Sequence, residues 1–352
     1  VTGSVQPVAD FRLSVAGAGA GGSTLELAAS LADITSKVRP RLVGLTLTEK
    51  RGGEADQLSI GLDDSDGKLQ LPRKGALIRL QLGWLRGSGV TVGLVDKGSF
   101  TVDEVSWEGA PDVATITARS ADLTDSFRVR REQGWKDTTL GAIAREVASR
   151  NGYQVKIAPE LAGIAVPVRA QHHTSDMALL MRLGREHDAV ATVKHRTLIL
   201  SPIGKGASPS GKALPGLTLT KVEVADRYSY REIDRSADAG VEARWHDPAS
   251  GTRKTVKVGG GKGTPHRVRR VYHSEADARA AANAANARAQ RAQATFDGAL
   301  AYGRPDLTPE RPVTLKGFKP AVDAHSWLIA QLDHSLDAQG GLGTRVQLEA
   351  HD

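Results

Sequence analysis

Cysteine is absent from all 352 residues, and that single absence removes disulfides, thiolate metal centres and cysteine nucleophiles together. Stability has to come from packing and from assembly. Aromatics are scarce, five each of Trp, Tyr and Phe, and they are not interleaved with basic residues as on a platform for single-stranded nucleic acid. No stretch approaches the run of about 20 apolar residues that a membrane helix needs, and no basic region precedes an apolar core at the N-terminus. Neither a membrane span nor Sec export is expected. There is also no long block of one charge sign, because 47 Lys and Arg are interspersed with 40 Asp and Glu. The net charge of +7 leaves only a diffuse preference for an acidic partner, whether nucleic acid, headgroups or protein.

What is present is the balance of a folded protein, 40% hydrophobic and 25% charged. The length suggests roughly two to three globular units. From Leu42 to Ala118, short alternating runs such as Leu45-Thr46-Leu47-Thr48 and Leu58-Ser59-Ile60-Gly61-Leu62 are separated by turn chemistry at Arg51-Gly52-Gly53 and Gly109-Ala110-Pro111-Asp112. Period-two alternation at that spacing predicts antiparallel strands with one face buried, closing as a small barrel or sandwich. The period then changes. Leu140, Ile143, Ala144 and Val147 share one helical face up to Asn151-Gly152, and Met177, Leu179, Leu180 and Leu183 share another behind a Ser175 cap. Strands at Tyr153 to Ile157, Ala189 to Val193 and Thr197 to Leu200 complete a duplicated helix-plus-strand insert.

Gly204 to Gly216 has the composition of a flexible connector. Alternation resumes at Leu217 to Val224 and Val241 to Trp245, followed by a basic ribbon at His266 to Tyr272. Ser274 and Asp277 have cap spacing for one strong alanine-filled helix expected to run through Ala294, with Gly303 and Pro305 closing its end. Pro312 to Phe318, Trp327 to Leu332 and Thr344 to Leu348 read as three further strands whose partners lie before that helix, so the second β unit is expected to be discontinuous.

Catalytic motifs are sought and not met. Gly206-Ala207-Ser208-Pro209-Ser210 lacks the second glycine of a nucleophile elbow. Gly259-Gly260-Gly261-Lys262-Gly263-Thr264 fails the Walker pattern at Val256 and Gly263 and reads as a hairpin tip. Asp63-Asp64-Ser65-Asp66-Gly67, aligned as a calcium loop, places Leu62 first and Arg73 twelfth, so it reads as a turn. His172, His173 and Asp176, with His187 and Asp188, offer imidazole and carboxylate but no zincin spacing, and read as solvent-facing or capping groups. Arg267, Arg269 and Arg270 beside Tyr272 could track a phosphate backbone, but a solvated strand face or protein interface is the simpler reading. No catalytic, cofactor-binding or metal residue is assigned.

The order of features carries more than any one of them. Asp33-Ile34-Thr35, Leu42 through Thr48, Asp56 through Gly67 with Pro72 and Gly75, Gly83-Trp84, Gly98 through Val105, Pro111-Asp112, Ser120-Ala121-Asp122, Trp135 with Thr139-Leu140, and Gln171 with Ser175-Asp176 succeed one another. Arg270 through Ser274, Gly303-Arg304-Pro305-Asp306-Leu307, Leu315-Lys316-Gly317-Phe318 and Trp327 before His334 complete the series. This arrangement resembles the late control protein D family, the baseplate hub of contractile phage tails, over nearly the whole chain. Gly17 to Gly22 and Gly259 to Gly263 depart from it as variable loops.

The resemblance implies a mainly β fold with α/β insertions, similar to the base of type VI secretion spikes. Two β-barrel domains per subunit and three subunits would form a pseudo-sixfold ring that adapts a six-subunit tail tube to a three-subunit spike. The expected division is a first barrel at residues 1–119 and an α/β insert at 120–212. A second barrel follows at 213–245 and 304–352, with an insertion carrying the basic ribbon and helix at 246–303. Implied partners are two more copies of the chain, the spike, the tube and other baseplate proteins, with no membrane in the assembled state and no sequence-specific nucleic acid. The implied place is the virion tail baseplate, assembled in the bacterial host cytoplasm, with no enzymatic activity and no cofactor. Because the chain stops at Asp352, soon after the second barrel, the spike is expected to be a separate polypeptide. Two other readings compete: a cell-wall-binding or peptidoglycan-hydrolysing tail component, and a basic nucleic-acid-binding protein.

Overall fold

The computed structural model describes residues 5–16, 31–52, 54–120, 125–194, 196–207, 212–224, 227–233, 240–260, 263–339 and 341–351. The expected loop at Gly17 to Gly22, Ser208 to Ser210, Gly261, Lys262, Ala121 and Asp122 lie outside them. Among the described residues, no helix is long and apolar enough to cross a membrane.

Alternating sequence becomes one 13-stranded sheet wrapped on two cores. In its first half, Leu42–Lys50 pairs antiparallel with Gln57–Asp63, which pairs with Val113–Ser120. The path continues through Gly93–Glu108 and Leu77–Arg86 to Val8–Ala16. The inward residues Leu47, Leu58, Leu80 and Leu82 are fully buried, and each such side chain contributes about 1.5–3 kcal/mol over exposure. In the second half, Ser326–Asp337 pairs with Leu342–Ala350, which pairs with Ala294–Ala299, which pairs with the edge strand Tyr228–Glu232. Trp327, Phe296, Ile329 and Leu332 fill the second core.

The two halves are not separate sheets. Ser326–Asp337 also pairs antiparallel with Leu42–Lys50, with Leu336 opposite Leu45 and His334 opposite Leu47. One long strand therefore serves both cores: Trp327 and Ile329 face the second, and Leu336, with Leu342 across the hairpin, joins the first.

The insert has its own core of Leu140, Ile143, Val147, Leu179 and Leu183. Thr139 caps the helix Leu140–Arg150 by accepting from the Ala142 amide at 3.2 Å, and Ser175 caps Asp176–Glu186 by accepting from Ala178 at 3.2 Å. Gly152, at φ +70°, makes the turn from the first helix into Gln154–Ile157. That strand lies parallel to Thr197–Pro202, which pairs with Ala189–Lys194, while Arg130–Thr139 and Ala165–Ser175 form a separate ribbon.

Three sequence expectations are corrected. Val241–Asp247 does not belong to the second barrel: it is the centre of a three-stranded sheet with Thr252–Val258 and His266–Tyr272. Ala278, Ala281 and Ala282 of the helix Glu275–Arg291 seal this sheet, because alanine lets helix and sheet approach closely. The helix stops at Arg291, and Ala294–Ala299 is a strand of the large sheet. Alanine favours helix intrinsically, but the alternating burial of Ala294, Phe296 and Gly298 in the second core overrides it. Gly303 and Pro305 accordingly do not end the helix. In the described part of the connector, a bridge between Ala207 and Ala213, a hydrogen bond from the Leu214 N–H to the Gly206 carbonyl at 2.6 Å and another from the Gly204 N–H to the Glu310 carboxylate hold the chain in place.

Candidate functional site

Trp84, Gly303, Arg304, Pro305 and His334 of the family-like series meet where the two halves join, while Trp135, Gln171 and Asp176 lie in the insert. Leu45, Leu47 and Glu49 fall on one face of Leu42–Lys50, and Leu332, His334 and Leu336 on the facing side of their strand. Alternation thus drives one carboxylate and one imidazole into an apolar seam. His334 is fully buried and Glu49 nearly so. Lys97, on the strand Gly93–Glu108, brings its ammonium 2.5 Å from the Glu49 carboxylate and donates to the Pro305 carbonyl at 3.0 Å.

His334 bridges the remaining groups, with Nε2 3.1 Å from Glu49 Oε2 and Nδ1 2.8 Å from Thr344 Oγ1. Thr344 Oγ1 in turn accepts from the Arg304 amide at 2.9 Å. The bonding is complete with one tautomer: Nε2–H donates to Glu49, and Nδ1 accepts the Thr344 hydroxyl proton. Burial disfavours the imidazolium and pulls the His334 pKa down, against the hydrogen bond to Glu49. Burial raises the Glu49 carboxyl, but the His334 hydrogen bond and the Lys97 ammonium outweigh it and hold the pKa at about 2. At neutral pH the seam therefore holds a neutral histidine against an ionised Lys97–Glu49 pair.

Beside this network, Trp84 Nε1 donates to the Gly303 carbonyl at 2.9 Å, and its ring meets Tyr302 edge-on at 6.1 Å. A Cβ at Gly303 would stand 2.5 Å from Leu342 Cγ and 2.7 Å from its carbonyl oxygen, so only glycine fits against that strand. At the other end of the seam Arg51 pairs with Glu349 at 2.6 Å and with Glu310, the latter an ion pair without hydrogen-bond alignment. Burial pushes the Glu310 carboxyl up and Arg51 pulls it back. The Glu310 carboxylate also accepts from the Gly204 amide at 3.1 Å, tying the connector to the seam.

The sequence candidates are dispersed. Asp176 is fully buried and structural, accepting from Asn151 at 2.8 Å and Gln171 at 2.9 Å, with Arg150 at 2.9 Å. His172 and His173 lie exposed beside Glu132, at 3.5 and 3.0 Å, away from Asp176. Burial lowers the His187 pKa, and Asp188 is clamped by Arg291 at 2.5 and 2.8 Å. In the turn Asp63 to Gly67, Asp63 accepts from the Ser65 amide, Asp64 takes the Leu69 amide and Trp107 Nε1, and Asp66 pairs with Arg41, so each carboxylate has a protein partner. In the basic ribbon Arg267 pairs with Glu242, and Arg270 reaches Glu186 at 2.6 Å over the Tyr272 ring, leaving Arg269 exposed. Two of its three cations are engaged within the chain.

Glu49 and Lys97 were missed by motif reasoning, although Glu49 continues the apolar face of Leu45 and Leu47. A charged residue in phase with buried leucines is the signal that identifies it. For Lys97, beside Gly98 at a register shift inside its strand, the sequence holds no comparable signal.

Comparisons with known proteins agree with this architecture. Residues 64–340 match the family described as phage tail baseplate hub (GPD). The chain is 38% identical over 357 residues to a probable baseplate hub protein of Escherichia phage 186, covering 90% of each chain. Its fold is similar to that of a 43 kDa tail protein from prophage MuSo2 of Shewanella oneidensis, with a TM-score of 0.66 at 15% identity over 96% of this chain and 98% of that one. It is also similar to that of an Escherichia coli type VI secretion component, with a TM-score of 0.53 at 12% identity over 89% and 74%. With the family matched over residues 64–340 and a 38% identical baseplate hub protein covered over 90% of each chain, the chain belongs to the phage tail baseplate hub (GPD) family.

Proposed function

We propose that three copies of this chain form a ring in the baseplate of a contractile phage-type tail, adapting a six-subunit tube on one face to a three-subunit spike on the other. The observation that supports this reading best is the double use of Ser326–Asp337, which locks two β units into one sheet at a fixed mutual angle. A subunit presenting two β units in rigid relation can be repeated three times to give six roughly equivalent positions. The assembly is then held by buried apolar area and strand-edge contacts, with Tyr228–Glu232 a free sheet edge among the described residues.

The chain acts without catalysis in this reading. The carboxyl of Glu49 and the imidazole of His334, both lowered in pKa, are sealed inside the seam with hydrogen bonds to protein groups. The three-subunit ring assembles with spike, tube and other baseplate proteins in the host cytoplasm before entering the virion. Light scattering on the chain co-expressed with its spike protein tests the proposal. Three copies of each in one complex support it; a stable monomer that ignores the spike contradicts it.

A further inference from the structure

Between the insert's second helix, Asp176–Glu186, and the alanine helix, Glu275–Arg291, lies a cleft of about 410 Å³ floored on one side by the strand His266–Tyr272. Met181, Ala281 and Ala285 make its floor apolar, and Arg182, Arg185, Arg270 and Arg288 stand round it. Glu186 is the lining carboxylate, and it is already engaged by Arg169 at 2.7 Å and Arg270 at 2.6 Å. Asp188, behind the cleft, is engaged by Arg291 at 2.5 Å and stands 3.9 Å from Arg288. Asp277 acts on His187, at the end of the insert helix.

Among the described residues, that leaves more cations than counter-charges. Among the described residues Arg182 donates to Thr174 Oγ1 at 3.5 Å, and its buried Nε meets no hydrogen-bond partner. Burial and then the neighbouring Arg270 both work against its charge. Arg185 is exposed, and no carboxylate pairs with its side chain among the described residues. Arg288 gives one N–H to the Arg185 carbonyl at 2.6 Å and is likewise depressed by burial. Guanidinium groups drawn together and partly stripped of water are stabilised when an anion supplies charge-assisted hydrogen bonds.

We propose that this cleft receives an acidic segment of another polypeptide of the tail, its carboxylates meeting Arg182, Arg185 and Arg288 while an apolar side chain rests on the alanine floor. A concave site of this volume with an apolar floor suits a few amino-acid side chains. A nucleic-acid backbone needs an extended basic track, and the ribbon beside the cleft has two of its three arginines already paired. The proposal goes beyond the hub assignment, since the family and the ring reading leave this face without a partner.

The test is calorimetric titration of the full chain with the probe peptide acetyl-Asp-Leu-Glu-Leu-Asp-amide, beside its Asn/Gln counterpart and sodium phosphate. The acidic peptide is expected to bind at least tenfold more tightly than the neutral one. Arg185→Glu, an exposed substitution that leaves the melting temperature unchanged, is expected to weaken it at least tenfold, and Ala285→Trp, which fills the floor, to do the same. Equal binding of both peptides, no binding of either, or full affinity in both variants overturns the proposal. So does displacement of the peptide by equimolar phosphate, which assigns the site to an inorganic anion.

Discussion

At the seam, Lys97, Glu49, His334 and Thr344 are buried with protein partners; in the arginine cleft, Arg182, Arg185 and Arg288 are gathered with too few carboxylates among the described residues to match them. The seam removes its charges from water and the cleft only part of them, Arg185 staying exposed, and the two places differ in what completes them. A buried pair whose hydrogen bonds are filled by its own chain is closed and acts on the subunit's internal geometry. A desolvated cation without a counter-charge is open and fits a partner. The comparison separates residues that fix the two β units relative to each other from residues that act at assembly.

The most direct way to break the seam is Lys97→Met. It leaves the Glu49 carboxylate buried beside His334 without its cation, and it is expected to cost about 3–5 kcal/mol in denaturant unfolding. Gly303→Ala comes next. Its Cβ meets both the side chain and the backbone of Leu342, so the strand must shift, with an expected loss of about 1–3 kcal/mol.

Acidification probes the same network more gently. The folded pKa of His334 lies below its unfolded value near 6.5, so its contribution is complete above that pH and is lost as pH falls below it. Glu49, at about 2 against 4.5, adds a second loss between those values. Thermal melts should therefore decline as pH falls below 6.5 and decline again below 4.5, and the first of these two losses should flatten in His334→Gln. The smallest effect is expected at Arg279, whose pair with Glu275 is more than half exposed on both sides. Arg279→Gln should change stability by about 0.3–0.5 kcal/mol, measured by the same unfolding titration.

Much of this architecture was legible in particular residues. Alternation located Leu42–Lys50 and Gln57–Asp63, and serine caps at Ser175 and Ser274 located two helices, since both signals depend on near neighbours. The seam was not legible, because Leu47 and His334 are brought opposite by strand pairing across nearly the whole chain. Val241–Asp247 was assigned to the wrong sheet for the same reason: a strand's pattern states that one face is buried and not which strand lies beside it. Ala294–Ala299 failed differently. Its alanines continue a helical composition, and only the burial of Phe296 in a core built from the C-terminal hairpin makes it a strand.

The central claim is that the seam holds two β units in one fixed relation so that three subunits complete a ring. Electron microscopy of the purified assembly, viewed down its axis without imposed symmetry, tests it most directly. The account predicts six lobes of density related in alternating pairs by a threefold axis. A ring with another subunit number, or lobes whose pairing varies from particle to particle, contradicts it.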